Sequence, residues 1–330
     1  MLVGIYGFGA IGKLLAKAAI ERGHEIIGVV DIDEKILGRD IGSILGLDSD
    51  YGVSVSPDPQ ALLDADVVLH ATGSYLDRVY PQLVSIIDLG LNVVSTCETL
   101  AYPYYRYPVL ARALDERARL RSVTVLGTGI NPGFIMDTLV AVIASSAVSV
   151  ERVKAVRSID ASKRREPFRR KLGIGREPGE VKEKMGRGEL TGHVGYAESV
   201  YLIADAGKLS LTSVVEHQEL VVADERIERN GVVVEKGRVS GIKGYGVGYV
   251  NGREVIRLEL YAYVGAEEYE EIVVESEDYS IVWRSRGTPG DQGTAAVLLS
   301  IAEKIDLYGP GLLTMPDIIP FKPYFKASTA

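Results

Sequence analysis

Three short polar segments follow apolar runs in this chain, at spacings that suit chemistry. The first is Ser95-Thr96-Cys97-Glu98. A carboxylate just beyond a buried strand is partly desolvated and suits proton transfer near neutral pH. The same acid would also serve simply to start a helix, favoured by the dipole. The second is Gly127-Thr128-Gly129-Ile130-Asn131-Pro132-Gly133. Its glycines and Pro-Gly pair force a tight path. Asn131 carries both a donor and an acceptor, as a nicotinamide carboxamide requires; a domain-junction turn is the structural alternative. The third, Asp160-Ala161-Ser162-Lys163-Arg164-Arg165, reads either as a loop meeting an anionic substrate or cofactor phosphates, or as a solvated face.

These segments need elements to hold them. Leu2–Gly7 reads as a buried strand, Ala10–Arg22 as a helix stopped by Gly23, and 24–31 as a second strand. Apolar runs at 67–73, 92–96 and 123–127 alternate with helical stretches at 76–89 and 108–120. Such alternation means βαβ units and a mostly parallel sheet. The expected fold class is α/β, a Rossmann-type doubly wound sheet. A second α+β domain is expected around a mixed or antiparallel sheet. Its strands are read at 208–222, 232–235, 255–264 and 271–275, separated by turns at Gly237, Gly241, Gly244, Gly246 and Gly248. The expected division is 1–132 completed by 288–330 for the nucleotide domain, and 133–287 for the substrate-binding and oligomerisation domain. Segment 173–192 reads as a loop or a mobile helix, and 134–146 and 294–306 as helices.

Gly7-Phe8-Gly9-Ala10-Ile11-Gly12 matches G-x-G-x-x-G. It follows a strand, opens a helix, and precedes Asp31 at the end of the next strand. That context, more than the glycines, marks a dinucleotide site. Asp31 would accept from the adenosine ribose hydroxyls, which favours NAD over NADP; capping a helix is its structural alternative. Arg39 and Lys35 could offset that bias, so NAD or NADP is the cofactor expected. Ala71, Thr72 and Gly73 lie where a doubly wound sheet admits ligand, unless they form an ordinary strand-to-helix turn.

Taken together, these segments resemble the 2,4-diaminopentanoate dehydrogenase family and related NAD(P)-dependent amine dehydrogenases, whose nucleotide domain is like that of dihydrodipicolinate reductase. The resemblance is carried by GFGAIG (7–12), VDID (30–33) with GRDIGSILG (38–46), STCETLAYP (95–103), GTGINPGFIMD (127–137), DASKRREPFRRKLGIG (160–175), GHVGYAESVYLIAD (192–205) and GTPGDQGTAA (287–296). It implies reversible oxidative deamination of a primary amine to a ketone and ammonia, or reductive amination in reverse. Substrates are a diamino acid or short aliphatic amine, or a ketone with ammonium. It also implies Glu98 as the acid–base, Cys97 among the residues near the cofactor, and Arg157 and His193 in the substrate pocket. Arg157 or Lys163 would meet a substrate carboxylate. A homodimer built on the second sheet is expected by the same route.

Two other readings stand beside it. A dihydrodipicolinate reductase-like imine reductase would carry paired histidines and a following lysine, where this chain has Glu216-His217-Gln218. A non-catalytic NAD(H)-binding sensor would need an added DNA- or protein-binding module, and no such extension is evident.

Bulk properties narrow the class. The 330 residues carry a net charge of -8, which argues against a nucleic-acid partner held through phosphates. Cys97 is the one cysteine, so an intracellular, cytoplasmic setting is expected. No secretory leader and no membrane span are expected. No His or Cys grouping has metal-site spacing. Asn and Gln number four each, and with four Met this suggests a thermophilic source.

Overall fold

A computed structural model describes residues 1–329, which divide into two compact units. Unit 1 comprises Met1–Phe134 and Pro289–Ile318; unit 2 comprises Ile135–Thr288 and Ile319–Ala330.

Unit 1 is built on a parallel sheet of seven strands. Six come from the first part of the chain: β1 (Leu2–Tyr6), β2 (Glu25–Val30), β3 (Val55–Ser56), β4 (Val67–His70), β5 (Asn92–Ser95) and β6 (Thr124–Gly127). A late strand, Gly311–Leu313, pairs in parallel with β6. The order is late strand, β6, β5, β4, β1, β2, β3. The strand order therefore reverses between β1 and β4, and ligands sit outside the carboxyl ends at such a switch point. The strands are mostly apolar along their middles because both faces are covered. Val68, Val93 and Val125 pack against helices Leu76–Asp88 and Pro108–Leu120. Their neighbours Val67, Val94 and Leu126, fully buried, have the opposite parity, and on that side helix Ala10–Glu21 packs with helix Gly290–Ala302.

Unit 2 carries a mixed sheet of six strands. They are β7 (Arg152–Asp160), β8 (Ser213–Val222), β11 (Val239–Val250), β12 (Arg253–Tyr263), β13 (Tyr269–Glu275) and β14 (Ser280–Ser285). Two further short strands, β9 (Ile227–Arg229) and β10 (Val232–Val234), form a separate hairpin. The sheet order is β14-β13-β7-β12-β11-β8, with β7 and β12 parallel and every other pair antiparallel. Helix Tyr196–Ala206 lies across β11, β12 and β8.

The expected glycine turns at Gly241–Gly248 are instead the body of β11. Their purpose is close approach. A Cβ on Gly246 would meet the Tyr196 carbonyl oxygen at 2.9 Å, and one on Gly244 the Tyr196 hydroxyl at 2.4 Å. Bare backbone lets the helix settle against the strand. Segment 173–192, read as loop or mobile helix, contains helix Pro178–Gly186. The expected helix 134–146 is shorter, Thr138–Ala144, and the expected 294–306 helix begins earlier, at Gly290.

The second domain boundary also moves. The tail beyond Ile318, expected in the nucleotide domain, belongs to unit 2. Phe325 causes this: it is fully buried against Gly207, and Val150 donates its N–H to the Tyr324 carbonyl at 2.8 Å and accepts from Lys326 at 2.9 Å. Phe325→Ala is expected to cost unit 2 about 3–5 kcal/mol, read as a lowered midpoint in thermal or urea unfolding. An unchanged midpoint would mean that the tail is not anchored by this ring.

Candidate active site

The glycine turn leaves β1 and enters helix Ala10–Glu21. Gly7 has φ +95°, and a Cβ there would lie 2.6 Å from the Ala71 carbonyl oxygen. A Cβ on Gly12 would lie 1.9 Å from the Gly7 oxygen, so helix and turn touch through bare backbone. Gly9 differs: nothing lies within 4 Å of its Cβ position, and as N-cap it has no side-chain hydrogen bond to the helix amides. Gly9 and Ala10 are exposed, Ile11 and Gly12 progressively less so, and Phe8 is buried. The turn thus combines tight internal packing with one open position before a helix N-terminus. A dinucleotide pyrophosphate fits that cradle.

Asp31 follows at the end of β2. Its carboxylate accepts from Phe8 N at 2.5 Å, from Ile32 N at 2.7 Å and from Asp33 N at 2.9 Å. The acid is therefore fixed to the glycine turn and to the loop after β2 and, being only half-buried, remains open to a ribose. It does not cap a helix. Arg39 and Lys35 are exposed downstream.

The ends of β4 and β5 are joined by a polar network absent from the sequence reading. His70 is fully buried. Its Nδ1 lies 2.8 Å from Ser95 Oγ, and its Nε2 lies 2.9 Å from Gln82 Oε1 and from Thr72 Oγ1. Thr72 Oγ1 donates to Gln82 Oε1 at 2.6 Å, and Cys97 N donates to Ser95 Oγ at 3.1 Å. One imidazole thus links Thr72, beside Gly73, to the segment that carries Glu98. Glu98 itself opens a 3-10 turn, Glu98–Leu100, and is half-buried. Cys97 contributes only backbone to that edge. Its thiol is buried 3.8 Å from Thr99 Oγ1, and burial pushes its pKa up to about 12, with the charge of Glu98 adding to the rise.

Burial holds His70 down at about 4, against a smaller opposing effect from Gln82. The unfolded chain takes up this proton near pH 6.5 and the folded chain does not. The resulting stability is full above pH 6.5 and is lost as pH falls toward 4. The loss is on the order of 3 kcal/mol. A denaturant series from pH 7 to pH 4 is expected to show a slope that His70→Gln flattens; an unchanged slope would contradict a buried neutral imidazole.

Beyond β6, Gly133 has φ +123° and packs on the Gly129 amide and Thr128 Oγ1, where a Cβ would lie at 2.4 and 2.5 Å. This folds the Asn131 loop back on itself. Ile130 N donates to Thr294 Oγ1 at 3.2 Å, so helix Gly290–Ala302 helps to hold the loop. Asn131, Glu98, Thr72, Asp31 and the glycine turn all follow the carboxyl ends of one sheet.

The remaining predicted residues lie in unit 2. Arg157 is 2% exposed. Its Nε lies 3.3 Å from Glu270 Oε1, and its Nη2 donates to the Thr288 carbonyl at 3.0 Å. Lys163 pairs with Glu268. Both cations expected to meet a substrate carboxylate thus have an internal partner. Asp160, from the same polar run, is fully buried. Burial alone would raise its pKa, but the amide of Gly265, the hydroxyl and amide of Ser162, and Arg229 together hold it below the ordinary carboxylate range. It shapes the loop and is not exposed for chemistry.

His193 sits edge-on to Tyr196, ring centroids 4.6 Å apart, and its amide donates to Gln218 Oε1 at 3.1 Å. Burial first, then the charges of Lys171 and Arg157, pull its imidazole down to about 3. It is a neutral ring at physiological pH, suited to hydrogen bonding and contact.

With this geometry in place, comparison with known proteins decides the family. The profile of a 2,4-diaminopentanoate dehydrogenase C-terminal domain matches residues 134–326. The 2,4-diaminopentanoate dehydrogenase of Acetoanaerobium sticklandii is 32% identical over 328 residues, covering 95% of this chain and 92% of that protein. The chain belongs to the 2,4-diaminopentanoate dehydrogenase family. It is an enzyme of the oxidoreductase class. Among solved structures, an amine dehydrogenase from Mycobacterium smegmatis matches with a TM-score of 0.85 at 22% identity, over 98% of each chain. GenD2 from gentamicin A biosynthesis, solved with NAD, matches with a TM-score of 0.58 at 15% identity, over 96% of this chain and 89% of its own. These two likenesses carry the fold. The family membership places the chain apart from the imine-reductase and sensor readings. Among the described residues, no helix is long and apolar enough to cross a membrane.

Proposed function

We propose that the protein is an NAD(P)-dependent amine dehydrogenase that converts a primary amine to a ketone and ammonium, with Glu98 as its acid–base. The observation that carries this reading is the placement of Glu98. It stands at the carboxyl edge of the sheet one strand from the Thr72-Gly73 loop, and the His70–Ser95 bond fixes the two loops in mutual register. In this fold that edge receives the dinucleotide.

Bound to the glycine turn and Asp31, the nicotinamide cofactor supplies the acceptor for the hydride. The chain's own groups handle protons and orientation. Glu98 takes a proton from the substrate ammonium, freeing the nitrogen lone pair to drive the C–H electron pair out. Glu98 then passes that proton to solvent, removes a proton from the water that adds to the iminium, and returns it to the nitrogen of the carbinolamine. The C–N bond breaks and the departing ammonia takes the hydroxyl proton, giving ketone and ammonium. The balance is the protonated amine, water and oxidised cofactor on one side; ketone, ammonium, reduced cofactor and one proton on the other. Asn131 is assigned to the cofactor carboxamide. Asp31 favours NAD, because a 2'-phosphate would meet its carboxylate, while Arg39 and Lys35 leave NADP usable.

The substrate class is a diamino acid such as 2,4-diaminopentanoate or a short aliphatic amine. Unit 2 takes the substrate-binding and dimer-forming roles, with His193 as a neutral contact and Arg157 fixed by Glu270. A homodimer, a cytoplasmic setting and a thermophilic source belong to the same proposal. For the last, the strand ladder Arg152–Glu254–Arg257–Glu259–Lys154 supplies the linked ion pairs that help at high temperature.

The test is NADH absorbance with NAD or NADP against a panel of amines, and its loss with ketones and ammonium. The panel includes 2,4-diaminopentanoate. Turnover with at least one primary amine is expected. Cofactor binding without turnover on any of them would overturn the reading.

A further inference from the structure

The basic run 163–171 divides in the structure. Lys163 is engaged by Glu268, Arg164 lies over the Phe168 ring with its guanidinium carbon 4.5 Å from the centroid, and Arg169 reaches the Ser162 carbonyl at 3.5 Å. Arg170 and Lys171 share another feature. With Arg176, Lys184, Glu189 and Thr191 they line a concavity of about 320 Å³ within unit 2.

Of the charged side chains lining it, four are cations and one, Glu189, is an anion. Glu180, outside the lining, pairs with Arg176 at 2.6 Å and with Lys184 at 2.8 Å. Arg170 is exposed and meets no carboxylate among the described residues. The chain as a whole carries a charge of -8, so this is a local departure from the surface as a whole. A concave wall of one sign concentrates counter-ions of the other. A guanidinium and an ammonium on one wall match the oxygens of a carboxylate or phosphate. The field reaches inward as well: Lys171 is among the charges that lower the pKa of His193, two residues past Thr191. The volume is at the small end of ligand sites. It takes a phosphate or a short carboxylic acid and is too small for a dinucleotide.

We propose that this concavity is an oxyanion-binding site, taking a carboxylate or phosphate group through Arg170 and Lys171. That group is either the carboxylate of an amino-acid-like substrate or a free anion acting as an effector. The first source rests on the amine-dehydrogenase reading; the site itself does not.

The experiment titrates inorganic phosphate into the full chain at constant ionic strength, following heat of binding and melting temperature. Saturable binding is expected. The double variant Arg170→Gln with Lys171→Gln is expected to bind about tenfold weaker or worse, and Arg170→Gln alone to show part of that loss. Lys182→Gln, which removes an exposed charge outside the concavity, is expected to bind as the parent does. Melting in the absence of phosphate checks that the variants are folded. No effect beyond a matched chloride control, or equal binding by the double variant, would overturn the site. Displacement of phosphate by 2,4-diaminopentanoate but not by 2,4-diaminopentane assigns the substrate carboxylate as the source. Displacement by neither assigns a free anion. A protein that turns over no amine yet binds phosphate through these two residues would remove the dehydrogenase reading and leave the anion site intact.

Discussion

Glu98→Gln is expected to lower turnover of an amine substrate by about 10²–10⁴-fold while leaving the dissociation constant for the dinucleotide within about twofold, less than one typical hydrogen bond's worth. Glutamine preserves the side chain's size and its place at the start of the Glu98–Leu100 turn. It cannot take a proton. The glycine turn and Asp31 lie on other strands and are untouched, so cofactor affinity and turnover should separate. Stopped-flow NADH formation and fluorescence titration of NADH measure the two quantities. If Glu98 only started a helical turn, the amide would do as well, and near-normal turnover would result. The pH profile adds a second test: the limb of kcat/KM assigned to this carboxylate should vanish in the variant.

How much of this was visible beforehand depends on how local each signal is. The nucleotide turn was legible because its glycines, the preceding strand and Asp31 all sit within one βαβ unit. Helices Leu76–Asp88 and Pro108–Leu120 followed from ordinary periodicity, since each buries one side only. Helix Tyr196–Ala206 was not seen. Nine of its eleven residues are buried, including Glu198 and Ser199, so no polar stripe marks it. β11 was misread because its glycines serve a helix packed from elsewhere in the chain, and composition alone makes them look like turns. The His70–Ser95–Gln82 network joins three elements through long-range contacts. Its faint local sign is a histidine ending the otherwise apolar strand Val67–His70.

The basic run shows the opposite limit. Charge density was plain, but which cations are occupied depends on Glu268, Phe168 and Ser162. Two of those lie within a few residues and one lies a hundred away. Arg157 likewise looked available for a substrate carboxylate until its partner on β13 was known. Assigning a cation to a ligand from sequence fails wherever a distant strand supplies the counter-charge.

That counter-charge underlies the second large effect. Glu270→Leu is expected to destabilise unit 2 by about 3–5 kcal/mol. Glu270 is 1% exposed, accepts three hydrogen bonds and forms an ion pair with Arg157. Arg157 Nε lies 3.3 Å away, Ser285 Oγ donates at 2.5 Å, and Thr288 donates through its amide at 3.0 Å and its hydroxyl at 2.9 Å. Leucine removes every acceptor at once and leaves the buried guanidinium without this carboxylate. A buried polar group deprived of its partner costs far more than the pair contributed. Glu270→Gln separates charge from hydrogen bonding: it keeps one acceptor oxygen and should recover part of the loss. Replacing Arg157 with Leu together with Glu270→Leu should cost less than the sum of the single changes, because the orphaned charge is then gone. Urea unfolding of the four proteins measures the cycle. Additive losses would mean that the two residues act independently. A positive coupling would show that Arg157 is held for structure by Glu270.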